Sequence, residues 1–412
     1  MAAKALTDRV KRKAQAMGFT LVGVTHAQPT DHADVFQRWL AAGHHGDMAY
    51  LAAERAVQRR ADPRQILPEC QCILVLGVPY SNPASIPKPA DGRSWGRMAA
   101  FAWGADYHQV LRPRLSELMA FIEEQVGHDV PNRWYTDSGP VAERELAARA
   151  GLGWIGKNSM LINPERGSYF LLAEILLGIE LEPDGPLSID HCGACTRCLE
   201  ACPTQCILPD RTIDAARCIS YLTIEMKGTV PRQLRTQTQD WVFGCDICQE
   251  VCPWNERFAG AAGDPAFAPR EGGPWVDVPT GLGITTNVFN KRFKNSPVQR
   301  PRRRGFLRNL TLAAGNAGDL EHVPALIELL RNEIEPLPRG HAAWALGQLG
   351  GQAARIALEA AGESEADPWV LEEIRIALGK PGLVTPAERR PNLLTHPDGD
   401  KNRGTSQHDG RS

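Results

Sequence analysis

Cys192-Gly-Ala-Cys195-Thr-Arg-Cys198-Leu-Glu-Ala-Cys202-Pro203 is the stretch that decides how this chain is organised. It spells C-x2-C-x2-C-x3-C-P, and a half-copy follows at Cys245-Asp-Ile-Cys248-Gln-Glu-Val-Cys252-Pro253, with Val242 where its first cysteine would stand. Three thiolates on one tight loop can grip three irons of a cubane. The fourth begins the next turn, points away and serves the other cluster. One 4Fe–4S cluster then takes Cys192, Cys195, Cys198 and Cys252. The other takes Cys202, Cys245 and Cys248 and lacks a ligand. Cys206 lies only four residues past Cys202, in a loop already used. Cys218 sits in the separate element Arg217-Cys-Ile-Ser-Tyr-Leu and is taken as the eighth ligand. Cys206, Cys70 and Cys72 read as small buried or free thiols.

The rest of the composition supports a metal framework over disulfides. Nine of the 11 cysteines fall between Cys192 and Cys252. The first residues, Met1 to Lys13, lead into no apolar segment of the secretory kind, so a cytoplasmic protein is expected and a disulfide scaffold is not. No apolar run reaches the ~18 residues of a membrane span. The 46 basic and 48 acidic residues give a net charge of −2, which excludes a uniformly basic nucleic-acid binder but not a local basic patch.

Working outward, residues 1–185 read as a mixed α/β region. Helices are expected over 6–17, Asp34–Ala42, Gln109–Gln125 and Val141–Ala150, the last stopped by Gly151. Strands are expected at Phe19–Val24 and Ile73–Val78. Residues 186–258 hold the cysteines, and 259–305 form a Gly- and Pro-rich basic connector. Residues 306–380 are helical, with two units at a period of roughly 35 that suggest HEAT-like pairs. Residues 381–412 read as a disordered tail. The fold class is α+β.

Two further stretches carry chemistry. Trp134-Tyr-Thr-Asp137-Ser-Gly-Pro140 places a carboxylate on a turn before a helix, by itself an ordinary cap position. Gly151-x-Gly-x-x-Gly156 follows a helix and not a strand, which rejects a dinucleotide fingerprint. Residues 291–308 carry eight cations and no acid, a composition suited to a phosphate backbone.

Together these residues resemble epoxyqueuosine reductase. The resemblance rests on Tyr135-Thr-Asp-Ser-Gly-Pro, Gly153-Trp-Ile-Gly-Lys-Asn158, Asn163-Pro-x-x-Gly-Ser168, Asp106-Tyr-His, the cysteine order with isolated Cys218, and the helical tail. It covers roughly residues 5–380. It implies an N-terminal α/β cobalamin-binding catalytic domain, a ferredoxin-like two-cluster domain and a C-terminal HEAT-like tRNA-binding domain. It implies reduction of the epoxide of epoxyqueuosine to queuosine at the tRNA wobble base, with electrons passing through two 4Fe–4S clusters to cobalamin. A flavodoxin- or ferredoxin-like donor would supply them, and a monomer is expected. Asp137 resembles the family's general acid. Arg60, Asp137, Asn158, Ser168, Ser220, Cys245 and Asp246 match cofactor contacts. Lys227 resembles a tRNA contact, to which the basic stretch adds Arg303, Arg304 and Arg308. The alternatives are another cobalamin and iron–sulfur reductase, of the reductive dehalogenase kind, or a ferredoxin-type electron carrier.

Overall fold

A computed structural model describes residues 2–80, 86–187, 190–258, 263–270 and 273–379. The expected disordered tail lies outside these residues. The N-terminal layer is a four-stranded sheet with the order β1 (Leu21–His26), β2 (Cys72–Pro79), β7 (Phe170–Leu177), β4 (Asn132–Tyr135). Every pairing in it is antiparallel. β2 and β7 lie in the middle and are nearly all apolar, because both of their faces are covered. Leu74, Leu76, Val78, Ala173 and Ile175 pack against helices Ala2–Ala16 and Tyr107–Val126. Ile73, Val75 and Leu176 pack on the opposite face, with Leu146 and Ala147 of helix Glu143–Arg149. Each fully buried Leu or Ile here stabilises the layer by about 1.5–3 kcal/mol. The expected helices and strands appear with ends moved by one to four residues. Gly151, at φ +75°, ends helix Glu143–Arg149 where expected. β7 is the central strand that sequence reading passed over, although its run Phe-Leu-Leu-Ala-Glu-Ile-Leu-Leu is interrupted only by Glu174.

A second sheet joins three segments of the chain. β3 (Trp95–Met98) pairs in parallel with β8 (Trp241–Phe243) and antiparallel with β9 (Trp275–Asp277). β8 leads through Gly244 into Cys245, so the second cysteine loop is hung from this second sheet. A short ribbon, β5 (Trp154–Ile155) with β6 (Leu161–Ile162), presents Lys157 and Asn158 on its turn.

The C-terminal part is a helical stack. Helices Arg302–Ala317, Pro336–Leu349 and Pro368–Leu378 pack in a row, and Val323–Asn332 and Gln352–Ser364 lie behind them. Glycine permits the close approach: a Cβ on Gly340 would stand 2.3 Å from the Trp369 ring. Arg235 anchors the last helix through a buried bidentate pair with Glu373, both N–O distances being 2.8 Å. Among the described residues, no helix is long and apolar enough to cross a membrane.

Candidate active site and cluster loops

The cysteines converge as two groups. Cys192, Cys195, Cys198 and Cys252, from both runs, line one cavity of about 280 Å³ with Trp254 and His191. This is the quartet that the two-loop rule assigns to the first cluster. In the second group, Cys248 is partly buried, with Cys218 and Cys202 in electrostatic reach. Cys245 also faces Cys248 and Cys218. Cys218 and Cys252 stand at the N-caps of helices Ile219–Ile224 and Pro253–Arg257. Backbone N–H groups of Ser220 and Tyr221 donate to the first, and those of Trp254 and Asn255 to the second. Amides aimed at sulfur stabilise thiolate and fit a cluster-bearing loop.

Cys206 is buried between two of these sulfurs. Its thiol lies 3.5 Å from Cys202 Sγ and bonds Cys218 as well. The contact holds Cys202 down at about 5. The sequence marked Cys206 as a bystander thiol; the chain returns at Asp214, whose N–H donates to Cys206 O at 2.8 Å, and so brings Cys218 alongside.

The Gly-rich loops lock the cluster domain onto the sheet. Lys157 Nζ donates to Gly193 O at 2.7 Å and Cys195 O at 3.0 Å, and Asn158 Nδ2 donates to Cys248 O at 3.2 Å. Ser168 Oγ donates to Gln249 Oε1 and accepts from Asn255 Nδ2, each at 2.9 Å. Gly167, at φ +72°, is required there: a Cβ would lie 2.2 Å from Asn255 Oδ1. Asn158 and Ser168 are thus buried, with protein partners. Asp246 is buried too. Its Oδ2 accepts from Ala100 N at 2.7 Å, and burial pushes it up to about 7.

Asp137 sits on the loop after β4 with φ +57°, and its side chain is 60% exposed. Tyr107 Oη donates to its Oδ2 at 2.5 Å, and its own backbone N–H donates to Glu143 Oε1 at 2.7 Å. His108 Nε2 lies 3.8 Å from the same carboxylate, while its Nδ1 is 2.8 Å from Asp106, the N-cap of helix Tyr107–Val126. The hydrogen bond to Asp106 raises the His108 pKa, so an imidazolium is favoured beside Asp137. Arg60 is within the field of Glu143 and packs 5.6 Å from the Phe36 ring centroid. Its buried Nη1 has no hydrogen-bond partner among the described residues. Neither Glu143 nor Glu174, which lies fully buried beneath the loop, was marked by the sequence.

The basic stretch reaches this site. Arg300 is in the field of Asp137 and His108, and it pairs with Glu225 just past the Cys218 helix at 2.5 and 3.0 Å. Lys227, an exposed residue, donates from Nζ to Arg300 O at 3.0 Å. The arginines that follow divide. Arg304 is partly exposed, 3.8 Å from Glu335. Arg303 is held bidentate by Glu333, at 3.2 and 2.6 Å. Arg308 corrects the expectation of a tRNA contact. It is wholly buried and donates to the carbonyls of Leu222, Met226 and Gly228, because helix Arg302–Ala317 turns it inward onto the Cys218 helix. Lys291, Lys294, Arg300 and Arg302 are the exposed cations of the stretch.

Comparison with known proteins agrees with this geometry. Residues 60–138 match the family model described as epoxyqueuosine reductase QueG, residues 191–255 a 4Fe-4S double cluster binding domain, and residues 303–379 HEAT repeats. An epoxyqueuosine reductase of Cyclobacterium marinum is 39% identical over 315 residues, which span 76% of this chain and 97% of that protein. The crystal structure of an epoxyqueuosine reductase with an epoxyqueuosine-modified tRNA-Tyr stem loop superposes with a TM-score of 0.82 and 32% identity, covering 91% of this chain and 98% of that one. The Bacillus subtilis enzyme, with its catalytic aspartate loop swung out of the active site, gives 0.81 and 31%, with the same coverage.

Proposed function

The chain belongs to the epoxyqueuosine reductase family, oxidoreductases that act on tRNA, and on that premise we propose that Asp137 is the acid that protonates the epoxide oxygen of epoxyqueuosine at the wobble base. Epoxide, two electrons and two protons give the alkene of queuosine and water. The observation that carries the reading is the Asp137 carboxyl itself: exposed to a substrate, yet fixed by Tyr107 on its oxygen and Glu143 on its backbone. Opening an epoxide makes an alkoxide, and a positioned carboxyl within hydrogen-bond reach can deliver its proton. His108 and Arg60 supply positive charge beside the developing anion.

The cofactor reading is supported by donor sets that fit. Two cysteine quartets with inward amides suit 4Fe–4S clusters, Cys192, Cys195, Cys198 and Cys252 for one and Cys202, Cys218, Cys245 and Cys248 for the other. Cys195 is exposed whereas Cys202, Cys218, Cys245 and Cys248 are all partly buried, so the first set is the entry side for a flavodoxin- or ferredoxin-like donor. The unpartnered Nη1 of Arg60 fits a polar group of cobalamin, which Ser220, Cys245 and Asp246 would meet on the cluster side. Asn158 and Ser168 support that side by fixing the loop that carries Cys248. When bound, cobalamin supplies a low-potential cobalt centre for delivering electrons to the epoxide carbon. Lys227, Arg304 and the exposed Lys291, Lys294 and Arg302 hold the stem-loop phosphates, and Arg300 leads from them to Asp137.

The test is anaerobic. The protein is reconstituted with iron, sulfide and cobalamin, given a strong reductant and a stem-loop carrying epoxyqueuosine, and the nucleosides are weighed by mass spectrometry. Loss of one oxygen is expected, and Asp137→Asn abolishes it with cofactor content intact. An unchanged nucleoside with full cofactor loading, or an active Asp137→Asn variant, overturns the reading.

A further inference from the structure

Asp137 holds a conformation that a side chain adopts at a cost. A left-handed backbone is disfavoured for residues other than glycine, for Asp less than for most, so contacts are needed to hold it at φ +57°. Tyr107 bonds the carboxylate, which could travel with a loop that swings. The backbone is gripped elsewhere, by Glu143 Oε1 on the Asp137 N–H at 2.7 Å. Glu143 occupies the first turn of helix Glu143–Arg149, whose Leu146 and Ala147 are buried against the sheet, so this acceptor stands on a rigid element.

Charged and titratable groups from several elements face Glu143. Arg60 faces it from helix Glu54–Ala61, and Arg144 is its neighbour. Against them stand Asp137 on the loop, Tyr107 from helix Tyr107–Val126 and Glu174 from β7. Both carboxyl oxygens of Glu174 are buried with no hydrogen-bond partner among the described residues. Burial raises the Glu174 pKa well above the ordinary range, so it sits neutral under the loop.

We propose that Glu143 is a positioning residue for the reaction: its carboxylate latches the Asp137 amide and keeps that side chain turned into the site, and protonation of Glu143 slackens the latch. The effect on turnover rests on the reading of Asp137 as the acid; the latch itself does not. Burial, with the charge of Asp137, pushes Glu143 up to about 7, so the acceptor loses its charge close to neutral pH. A bond to a charged acceptor is about twice as strong as one to a neutral acceptor, which makes the latch tighter above that pH than below it.

The experiment reads the latch without turnover. Hydrogen exchange of the Asp137 amide is followed in the reconstituted holoenzyme from about pH 6 to about pH 8, after normalising for the intrinsic pH dependence of exchange. In the unaltered enzyme, protection is expected to rise as pH passes about 7. Glu143→Gln keeps an acceptor oxygen and should show weaker protection with no step. Glu143→Ala should show none. Turnover of the modified stem-loop should then fall ~10-fold in kcat in Glu143→Ala, with KM unchanged and Glu143→Gln between. Protection in Glu143→Ala equal to that of the unaltered enzyme, or a step near pH 7 that survives Glu143→Gln, overturns the proposal. Should Glu143→Ala fail to fold, the isosteric Glu143→Gln decides alone. An active Asp137→Asn variant would sink the acid reading and leave the latch to stand or fall on exchange.

Discussion

Replacing Arg308 by Met separates a structural arginine from a nucleic-acid contact. Arg308 Nη1 donates to Met226 O at 2.9 Å and Gly228 O at 2.8 Å, Nη2 donates to Leu222 O at 2.5 Å, and Nε donates to Asn309 Oδ1 at 3.0 Å. Asn309 in turn donates to Thr223 O and Val242 O at 2.8 Å each. The pair therefore ties the first repeat helix to the Cys218 helix and to β8, which leads to Cys245. Met fills much of the volume but takes the donor from two buried acceptors, Leu222 O and Asn309 Oδ1, at about 1 kcal/mol each or more, and from two partly buried ones, Met226 O and Gly228 O, which water can reach. Relief follows from removing a buried cation that has no carboxylate partner among the described residues, which offsets part of that loss. The net expectation is a loss of about 2–3 kcal/mol, or roughly 30- to 150-fold in the unfolding equilibrium. Urea unfolding of the holoenzyme should show a lower midpoint. Affinity for the stem-loop should keep its salt dependence, because a buried side chain touches no phosphate. An unmoved urea midpoint, together with a log–log salt slope reduced by about 0.7–0.9, would refute the packing argument and restore Arg308 to the RNA interface.

The exposed cations should behave in the opposite way. Charge reversal at Lys291, Lys294 or Arg302 is expected to weaken stem-loop binding and lower the salt slope by about one contact each, with the urea midpoint unchanged. Glu174→Gln tests the buried carboxyl by linkage. Its pKa is raised in the folded state, so the native protein holds a proton that the unfolded chain releases above about 4.3, and stability falls as pH rises. The glutamine variant should melt higher than the parent at about pH 8, and the gap should close near pH 4; a gap independent of pH would mean that Glu174 is not the proton-bearing group. For the cysteines, Cys218→Ala should cost one cluster's iron and its electron paramagnetic signal, whereas Cys206→Ala should keep both. Iron loss in Cys206→Ala with full retention in Cys218→Ala would exchange their roles.

The cysteine spacing determined, by itself, that two cubane clusters share two loops, because three thiolates within seven residues can reach only one cubane and the fourth must reach another. Long amphipathic segments such as Tyr107–Val126 were legible for a similar reason: an apolar face at helical period has one way to be buried. Asp137 was legible only through the company of its motif, since one carboxylate on a turn is most often a cap. What the sequence could not reveal depends on residues far apart in the chain. Glu143 and Glu174 become a site only when β7 passes beneath the loop after β4. Cys206 becomes a neighbour of Cys218 only when the chain folds back at Asp214. The basic stretch looked uniform, yet helix Arg302–Ala317 turned Arg308 inward, left Arg302 exposed and gave Arg303 to Glu333. Local spacing fixes which ligands and helices can form, because those choices are made within a few residues; the charge, exposure and partner of each remaining side chain are set by what packs against it.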